Sequence, residues 1–372
     1  MKHEVIRTIG DWRRLQQDWQ ELLPQCRADS IFLTWEWLDT WLRLRNTDSG
    51  LRVICIRSEN DELLGVAAHY VTDYRFLRFL RYRVLRPLGD TDSGAEYQTW
   101  LARADVEREV LREIVNCLRE IRSEWDLVWM PNLDGWSGSN DPILDAIRDG
   151  GLWMNSRPAS FASLRLPDQY DDFLKSLSSN RRQQLRRMSR RILEQPGVAI
   201  RKVESEQELP ETLEALFELH GKRWRAAGEE GVFAQKPRER SFYEAFAAEA
   251  LKRSWLAIYV LSEDGDPKAV QLGYVYNKAF LQLQEGFDPE YSPHVGNVLR
   301  AHAIDDCIRN GIEEYDFLGG VSEHKRRWLA EERQGMDLLI AHDGLKNLPI
   351  RKGAVWPTGA YLRPSTRSDS LF

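Results

Sequence analysis

Two spacings of apolar residues alternate along the chain, one near 3.6 and one near 2, which is the signature of mixed helix and strand. HEVIRTI reads as a strand. DWRRLQQDWQELL places Trp12, Leu15, Trp19 and Leu22 at helical spacing, and SIFLTWEWLDTWLRL predicts a second helix with Thr34 as its N-cap. RVICIRSENDELLGVAAHYV is two β-rich runs around a polar turn, hence a hairpin. VEREVLREIVNCLREI then reads as a helix, with WDLVWMP and SLRL as short strands. The second half repeats this plan. WLAIYVLSEDGDPKAVQLGYVY is again two β runs around a turn, and it aligns on the first hairpin without a gap at an offset of 204. Ser58 falls on Ser262, Val66 on Val270 and Tyr70 on Tyr274. In both halves a helix follows, then a strand opened by acid–aromatic–Asp (EWDLVW, EYDFLG). This self-similarity predicts an internal duplication.

Between the two copies lies LPDQYDDFLKSLSSNRRQQLRRMSRRILEQPG. Asp171 and Asp172 mark a helix start, and Pro196-Gly197 ends the helical stretch. Leu185, Met188 and Ile192 form an apolar stripe. Arg182, Arg186 and Arg190 form one basic row, with Arg187 and Arg191 beside it.

Charge sharpens the question of what that helix does. The formal net charge is −6, yet residues 178–202 carry eight Lys or Arg against one acid, and residues 203–219 carry six glutamates and no base. Such adjacent blocks can neutralise each other, and an acidic chain is a poor general nucleic-acid binder, so DNA is not an expected partner. The alternative is that the arginines grip a phosphorylated ligand. Hydrophobic residues at 42% and charged residues at 30% describe a globular chain with ample core, and no apolar run approaches the roughly 18 residues of a membrane span. MKHEVIRTIGDW has no signal-like stretch, and Cys26, Cys55, Cys117 and Cys307 stand singly, so a cytoplasmic protein with four reduced, buried thiols is expected.

No nucleotide-binding glycine fingerprint, P-loop, HExxH, paired CxxC or GxSxG occurs, and no metal site is expected. Three stretches of the second half carry candidate chemistry. In LQLQEGFDPEYSPHVGNVLRAHAI a strand enters a helix through a glycine-containing loop. Its free amides and the positive helix end suit a pyrophosphate, which marks His294, Val295, Gly296 and Asn297. In EYDFLGGVSEHKRRWL, Lys325 and Arg326 follow a strand end and could neutralise an oxyanion or phosphate. Glu285 is placed like a general base, with Glu323 and His324 as further candidates. In LHGKRWRAAGEEGVF, His220, Arg223 and Trp224 precede a Gly-rich bend. These three, with Arg182, Arg186 and Tyr274, make up the expected acceptor-binding set. A solvated strand end for Glu285 and a plain surface turn for 325–327 are the competing readings.

Taken in order, these motifs resemble the CelD/Fem-like branch of the GNAT acyltransferase superfamily, whose domain is labelled BioF2-like acetyltransferase. The residues that carry the resemblance are Phe32, Trp37, Leu38 and Trp41; the Arg-rich helix; His220 to Trp224 with Gly228 and Phe233; GFDPEYSP; and Tyr315 to Gly320 with Lys325 and Trp328. The family pattern Q/R-x-x-G-x-G/A is replaced here by SPHVGNV, which leaves the donor open between acyl-CoA and aminoacyl-tRNA. The resemblance implies an α/β (α+β, mixed-sheet) fold with two tandem GNAT-like domains joined by an Arg-rich helix. The expected boundaries are 1–168, without a donor site; 169–195, the connecting helices; 196–342, the acyltransferase domain; and 343–372, an extended tail. It implies an N-acyltransferase moving an acyl group, most simply acetyl, from acyl-CoA to an amine of a sugar, lipid-linked or peptide acceptor, in exopolysaccharide or cell-envelope synthesis. The alternatives are a Fem-like transferase, the one case with tRNA as a partner, and a non-catalytic scaffold with a decayed fold.

Overall fold

The computed structural model describes residues 1–45, 50–77, 79–353, 355–357 and 362–364. It divides into two units. The first holds Met1–Thr91, Ala95–Ser160 and Gln334–Phe372; the second holds Asp92–Gly94 and Phe161–Arg333.

In the first half of the chain, β1 (Lys2–Ile6) is followed by α1 (Ile9–Arg14) and α2 (Gln16–Leu22), then α3 (Trp35–Arg45). The single helix expected over 11–23 is thus two, parted at Leu15. Thr34 caps α3 as expected, its hydroxyl accepting from the Trp37 amide at 3.3 Å. Strands β2 (Leu51–Arg57), β3 (Leu63–Phe76) and β4 (Leu80–Pro87) form an antiparallel meander. Short β5 (Leu101–Ala102) edges β3, helix α4 (Glu107–Glu120) crosses over, and β6 (Leu127–Leu133) lies parallel to β4. Helix α5 (Asn140–Asp149) and strand β7 (Trp153–Arg165) follow.

The second half runs through α6 (Tyr170–Ser176), α7 (Ser179–Leu193) and β8 (Val198–Lys202). Helices α8 (Leu209–Ala226), α9 (Val232–Gln235) and α10 (Pro237–Lys252) come next. The meander β9 (Leu256–Glu263), β10 (Asp266–Tyr276) and β11 (Ala279–Phe287) then leads through α11 (Val295–Arg309) to β12 (Glu314–Gly319), parallel to β11. Last come α12 (Glu323–Arg326), β13 (Glu331–Ala341), α13 (Leu348–Gly353) and β14 (Leu362–Pro364).

Each unit therefore contains the same succession: an antiparallel meander, a crossover helix, and a parallel strand. This is the duplicated, mixed-sheet α/β architecture anticipated from the repeat. The closing strands are exchanged. Residues of β7 complete the second unit by pairing with β12 (Arg165 opposite Glu314), and residues of β13 complete the first by pairing with β6 (Ala341 opposite Leu127). That exchange is why the units divide at 160/161 and 333/334 rather than at the expected 168 and 342. Part of the expected 343–372 tail lies outside the described residues. Its described portion is not simply extended, since it forms α13 and β14, which pairs with β3.

Helix α7, expected as a connector, is built into the second unit. Leu185, Met188 and Ile192 are buried in one core with Phe173, Tyr259 and Trp328. That packing fixes which rows of arginine face outward. The four cysteines are free and buried.

Candidate functional site

The parallel pair β11–β12 begins in register, Ala279 opposite Glu314, Phe280 opposite Tyr315 and Leu281 opposite Asp316. The two strands then part. Strand β11 stays on β10 as far as Phe287, while β12 bends away at Leu318, whose φ of 60° is unusual for a leucine and is held by its amide bonding Asp316 Oδ1 at 2.7 Å. From α11, the side chain of Arg300 enters this part of the second unit and is 2% exposed. Its Nε donates to Gln282 Oε1 at 3.3 Å, Nη1 to His324 Nε2 at 2.6 Å, and Nη2 to Glu285 Oε2. The guanidinium also lies 5.4 Å from the Trp328 ring. A buried arginine is tolerable only when its donors are met in this way. Glu285 takes a second cation, Arg223 Nη1, on Oε1 at 2.7 Å. Gln282 Oε1 further accepts the Tyr315 hydroxyl at 2.9 Å.

The titratable groups here are set by burial and by these arginines. Burial alone would raise the Glu285 carboxyl, but Arg300 and then Arg223 outweigh it and hold the group below the ordinary carboxylate value. Burial, then Arg300, lowers His324 to about 4, and burial, then Arg223, lowers His220 to about 4. Both rings are neutral at physiological pH. Arginine and the Trp224 indole N–H (2.9 Å from His220 Nε2) are pure donors, so each Nε2 accepts and each proton sits on Nδ1. Arg181, 5.4 Å from the Trp328 ring, is lowered by burial, then by Arg327 and Arg300. Arg223 and Arg300 thus share one carboxylate, with Arg181 close enough to Arg300 and His324 to act on both, an environment that favours negative charge.

A second feature adjoins the start of α11. The N-cap residue, His294, makes no side-chain cap; the Val295 amide bonds the Ser292 carbonyl at 3.3 Å and the Asn297 amide the His294 carbonyl at 3.0 Å, so Gly296 carries the one amide of this first turn without a hydrogen-bond acceptor among the described residues. A groove of about 550 Å³ there is lined by Gln184, Arg187, Met188, Arg191 and Ile192 from α7, by Gln195 just past its end, and by Tyr291 to His294. Arg187 and Arg191 are exposed and have no acidic partner among the described residues. The glutamate block does not neutralise this helix. Its ion pairs go elsewhere, Glu208 to Arg201, Glu206 to Lys252 and Glu214 to Arg240.

The structure gathers several of the expected residues and separates others. Glu285, Arg223, His220 and Trp224 come together, but Glu285 is an anion clamped between two arginines, so a strong general base is not what its surroundings make. Lys325 does not face a reaction centre freely. Its Nζ donates to the carbonyls of Phe317, Leu318, Gly319 and Gly320 at 2.5–3.2 Å, bracing the bend after β12. Glu323 is exposed and 3.5 Å from Arg327, and Arg326 is exposed beside Glu332. His294 lines the groove. Gly296 packs on Phe287, where a Cβ would meet the ring at 2.9 Å, and Val295 is core. The Asn297 amide oxygen is buried without a hydrogen bond among the described residues. Tyr274 is fully buried against Phe246, so it packs the core rather than touching an acceptor. Arg182 caps the end of α6 through the Leu174 and Lys175 carbonyls, both at 3.4 Å, and Arg186 lies outside the groove lining. The neighbouring row, Arg187 and Arg191, takes that place.

Sequence reasoning missed Arg300, Arg181 and Gln282. The available signal was a lone arginine in the apolar run VGNVLRAHAI and the polar alternation of LQLQEG, a pattern no buried strand–helix pair needs for packing.

Residues 179–326 match the family model described as "Acetyltransferase (GNAT) domain". No curated protein matches the chain. Among solved structures, FemX is similar over 94% of this chain and 100% of its own at 12% identity, with a TM-score of 0.64. A conserved protein of unknown function from Bacteroides thetaiotaomicron is similar at 11% identity, covering 92% and 100%, TM-score 0.55. The C-terminal domain of a putative lysylphosphatidylglycerol synthetase from Agrobacterium fabrum is similar at 11% identity, covering 92% and 96%, TM-score 0.53. The chain thus shares its fold with FemX, and its residues 179–326 match the GNAT domain model.

Proposed function

We propose that the second unit is an acyl-CoA-dependent N-acyltransferase. The observation that carries this reading is the arginine-lined groove at the N-terminus of α11, beside two parallel strands that part. The donor's phosphates would be held by Arg187 and Arg191, with the Gly296 amide and the positive end of α11 beside them. Its acyl carbonyl would lie toward the cationic cluster of Arg223 and Arg300. There an amine nitrogen attacks the carbonyl, the C–N bond forms, the C–S bond breaks, and the proton shed by the nitrogen ends on the leaving thiolate, giving amide and thiol. Charge builds first on the carbonyl oxygen and then on sulfur, and fixed positive groups with the neutral His324 Nδ1–H stabilise both. Glu285 holds the two arginines in place. Acetyl-CoA is the simplest donor. The acceptor is an amine of a sugar, lipid-linked precursor or peptide, in keeping with cytoplasmic assembly of exopolysaccharide or envelope material. Isothermal titration of acetyl-CoA tests the seat: Arg187→Ala/Arg191→Ala should weaken binding at least ten-fold, and unchanged affinity would move the donor elsewhere.

An aminoacyl-tRNA donor is the second reading. It is favoured by the exposed arginines Arg186, Arg187 and Arg191, from two adjacent rows of α7, which would follow a nucleic-acid backbone as readily as a pyrophosphate. Salt-dependent tRNA binding without CoA binding would select it.

A further inference from the structure

The β3–β4 hairpin of the first unit ends in a turn whose residues conflict with its geometry. Phe76 pairs with Leu80, and Leu77 and Phe79 lie at the turn between them. Leu77 has φ 48°, in the left-handed region that a leucine enters at a cost, and it is 50% exposed. Phe79 is 92% exposed. The other hairpin turns use residues suited to such conformations: Asp61 at φ 69°, Asp264 and Gly265 at 50° and 86°, Asn277 and Lys278 at 46° and 61°. The Asn277–Lys278 turn joins β10 to β11, the matching place in the second unit, so the repeat supplies its own control. Where one copy has a polar turn, the other displays leucine and phenylalanine on a strained one.

The surroundings of this tip are basic. Arg75, Arg78, Arg81 and Arg83 fall within nine residues of a chain whose net charge is −6. Arg81 pairs with Asp73 and Arg83 with Asp126, whereas Arg75 has no acidic partner among the described residues. More apolar surface lies on the segment that receives the hairpin. The Tyr82 hydroxyl donates to the Lys346 carbonyl at 2.5 Å, and Leu345 beside it is 84% exposed.

We propose that this hairpin tip is a peripheral docking site for an anionic membrane surface. Aromatic and aliphatic side chains on a narrow protrusion suit the headgroup–acyl boundary. Flanking arginines can run their stems along the apolar zone and meet lipid phosphates. A protein partner would need a far broader apolar face than two projecting side chains. Apolar insertion plus basic contact gives weak, reversible binding that depends on anionic lipid and falls with salt. The proposal is independent of the acyltransfer reading.

Vesicle flotation of the full chain tests it, with phosphatidylcholine alone and phosphatidylcholine–phosphatidylglycerol mixtures as probes. The wild type should float with the anionic vesicles and not the neutral ones. Phe79→Ser should weaken partition at least ten-fold, and Arg75→Glu about five-fold or more. Leu77→Asn should also weaken partition while leaving the melting temperature equal or higher, because asparagine accepts φ 48° more readily than leucine. A purely structural tip would instead lose stability on Leu77→Asn. Absence of wild-type flotation, flotation unchanged in all variants, or a dimer in light scattering that Phe79→Ser abolishes without any vesicle binding would each overturn the proposal.

Discussion

Replacing Glu285 by glutamine separates two roles for the same carboxylate. Glu285 receives Arg300 on one oxygen and Arg223 on the other, and Arg300 is 2% exposed. Glutamine keeps the shape but removes the charge and turns one acceptor into a donor facing a guanidinium. Breaking a buried pair by neutralising one partner costs about 3–5 kcal/mol, since the other charge stays buried uncompensated. For a unit of this size that is a fall in Tm of roughly 6–20 °C. Glu285→Gln/Arg300→Met removes both charges and should recover most of the loss, as apolar replacement of whole buried pairs often does. Differential scanning calorimetry of wild type, both single variants and the double variant closes the cycle. If Glu285 were the proton acceptor, glutamine would leave Tm unchanged and lower turnover by about 10²–10⁴. That outcome would refute the clamp.

Lys325→Met should destabilise the second unit by about 2–3 kcal/mol through the four carbonyls left behind; denaturant titration reads this, and full stability with lost turnover would restore Lys325 to the reaction centre. His220 is lowered from 6.5 in the unfolded chain to about 4 in the fold. Its contribution is therefore present above about pH 6.5 and fades on the order of 3 kcal/mol as pH falls toward 4; guanidinium unfolding at neutral and acid pH should show that slope, and His220→Phe should make it shallower, leaving the part due to the likewise lowered His324. Gly296→Asp puts a carboxylate and a clash with Phe287 at the positive end of α11, so acyl-CoA affinity should fall at least ten-fold in calorimetry, and wild-type affinity would remove the loop from the donor seat.

The fold was readable because the repeat and the alternating spacings are properties of local sequence. Hairpins, crossover helices and the Thr34 cap need only neighbours. The exchange of β7 and β13 was not readable, because pairing with a strand far along the chain leaves no local mark. The site was half legible for the same reason. The loop before α11 and the cluster of His220, Arg223 and Glu285 stand out as polar residues at element ends. Which arginine row lines the groove depends on how Leu185, Met188 and Ile192 seat α7, and two adjacent rows look alike until that packing is known. Lys325 followed the glycine bend as expected, but four main-chain carbonyls come together on it only in three dimensions. Arg300 was hidden by its place inside an apolar helix face, where charge is normally excluded.

The central claim, that unit two seats a donor by its phosphates at α11, is tested most directly by calorimetric titration of CoA against pantetheine, which shares the thiol arm but lacks every phosphate. CoA should bind saturably and less tightly as salt rises, and pantetheine at least hundred-fold more weakly. Equal binding of the two, or no binding of CoA, would contradict that claim.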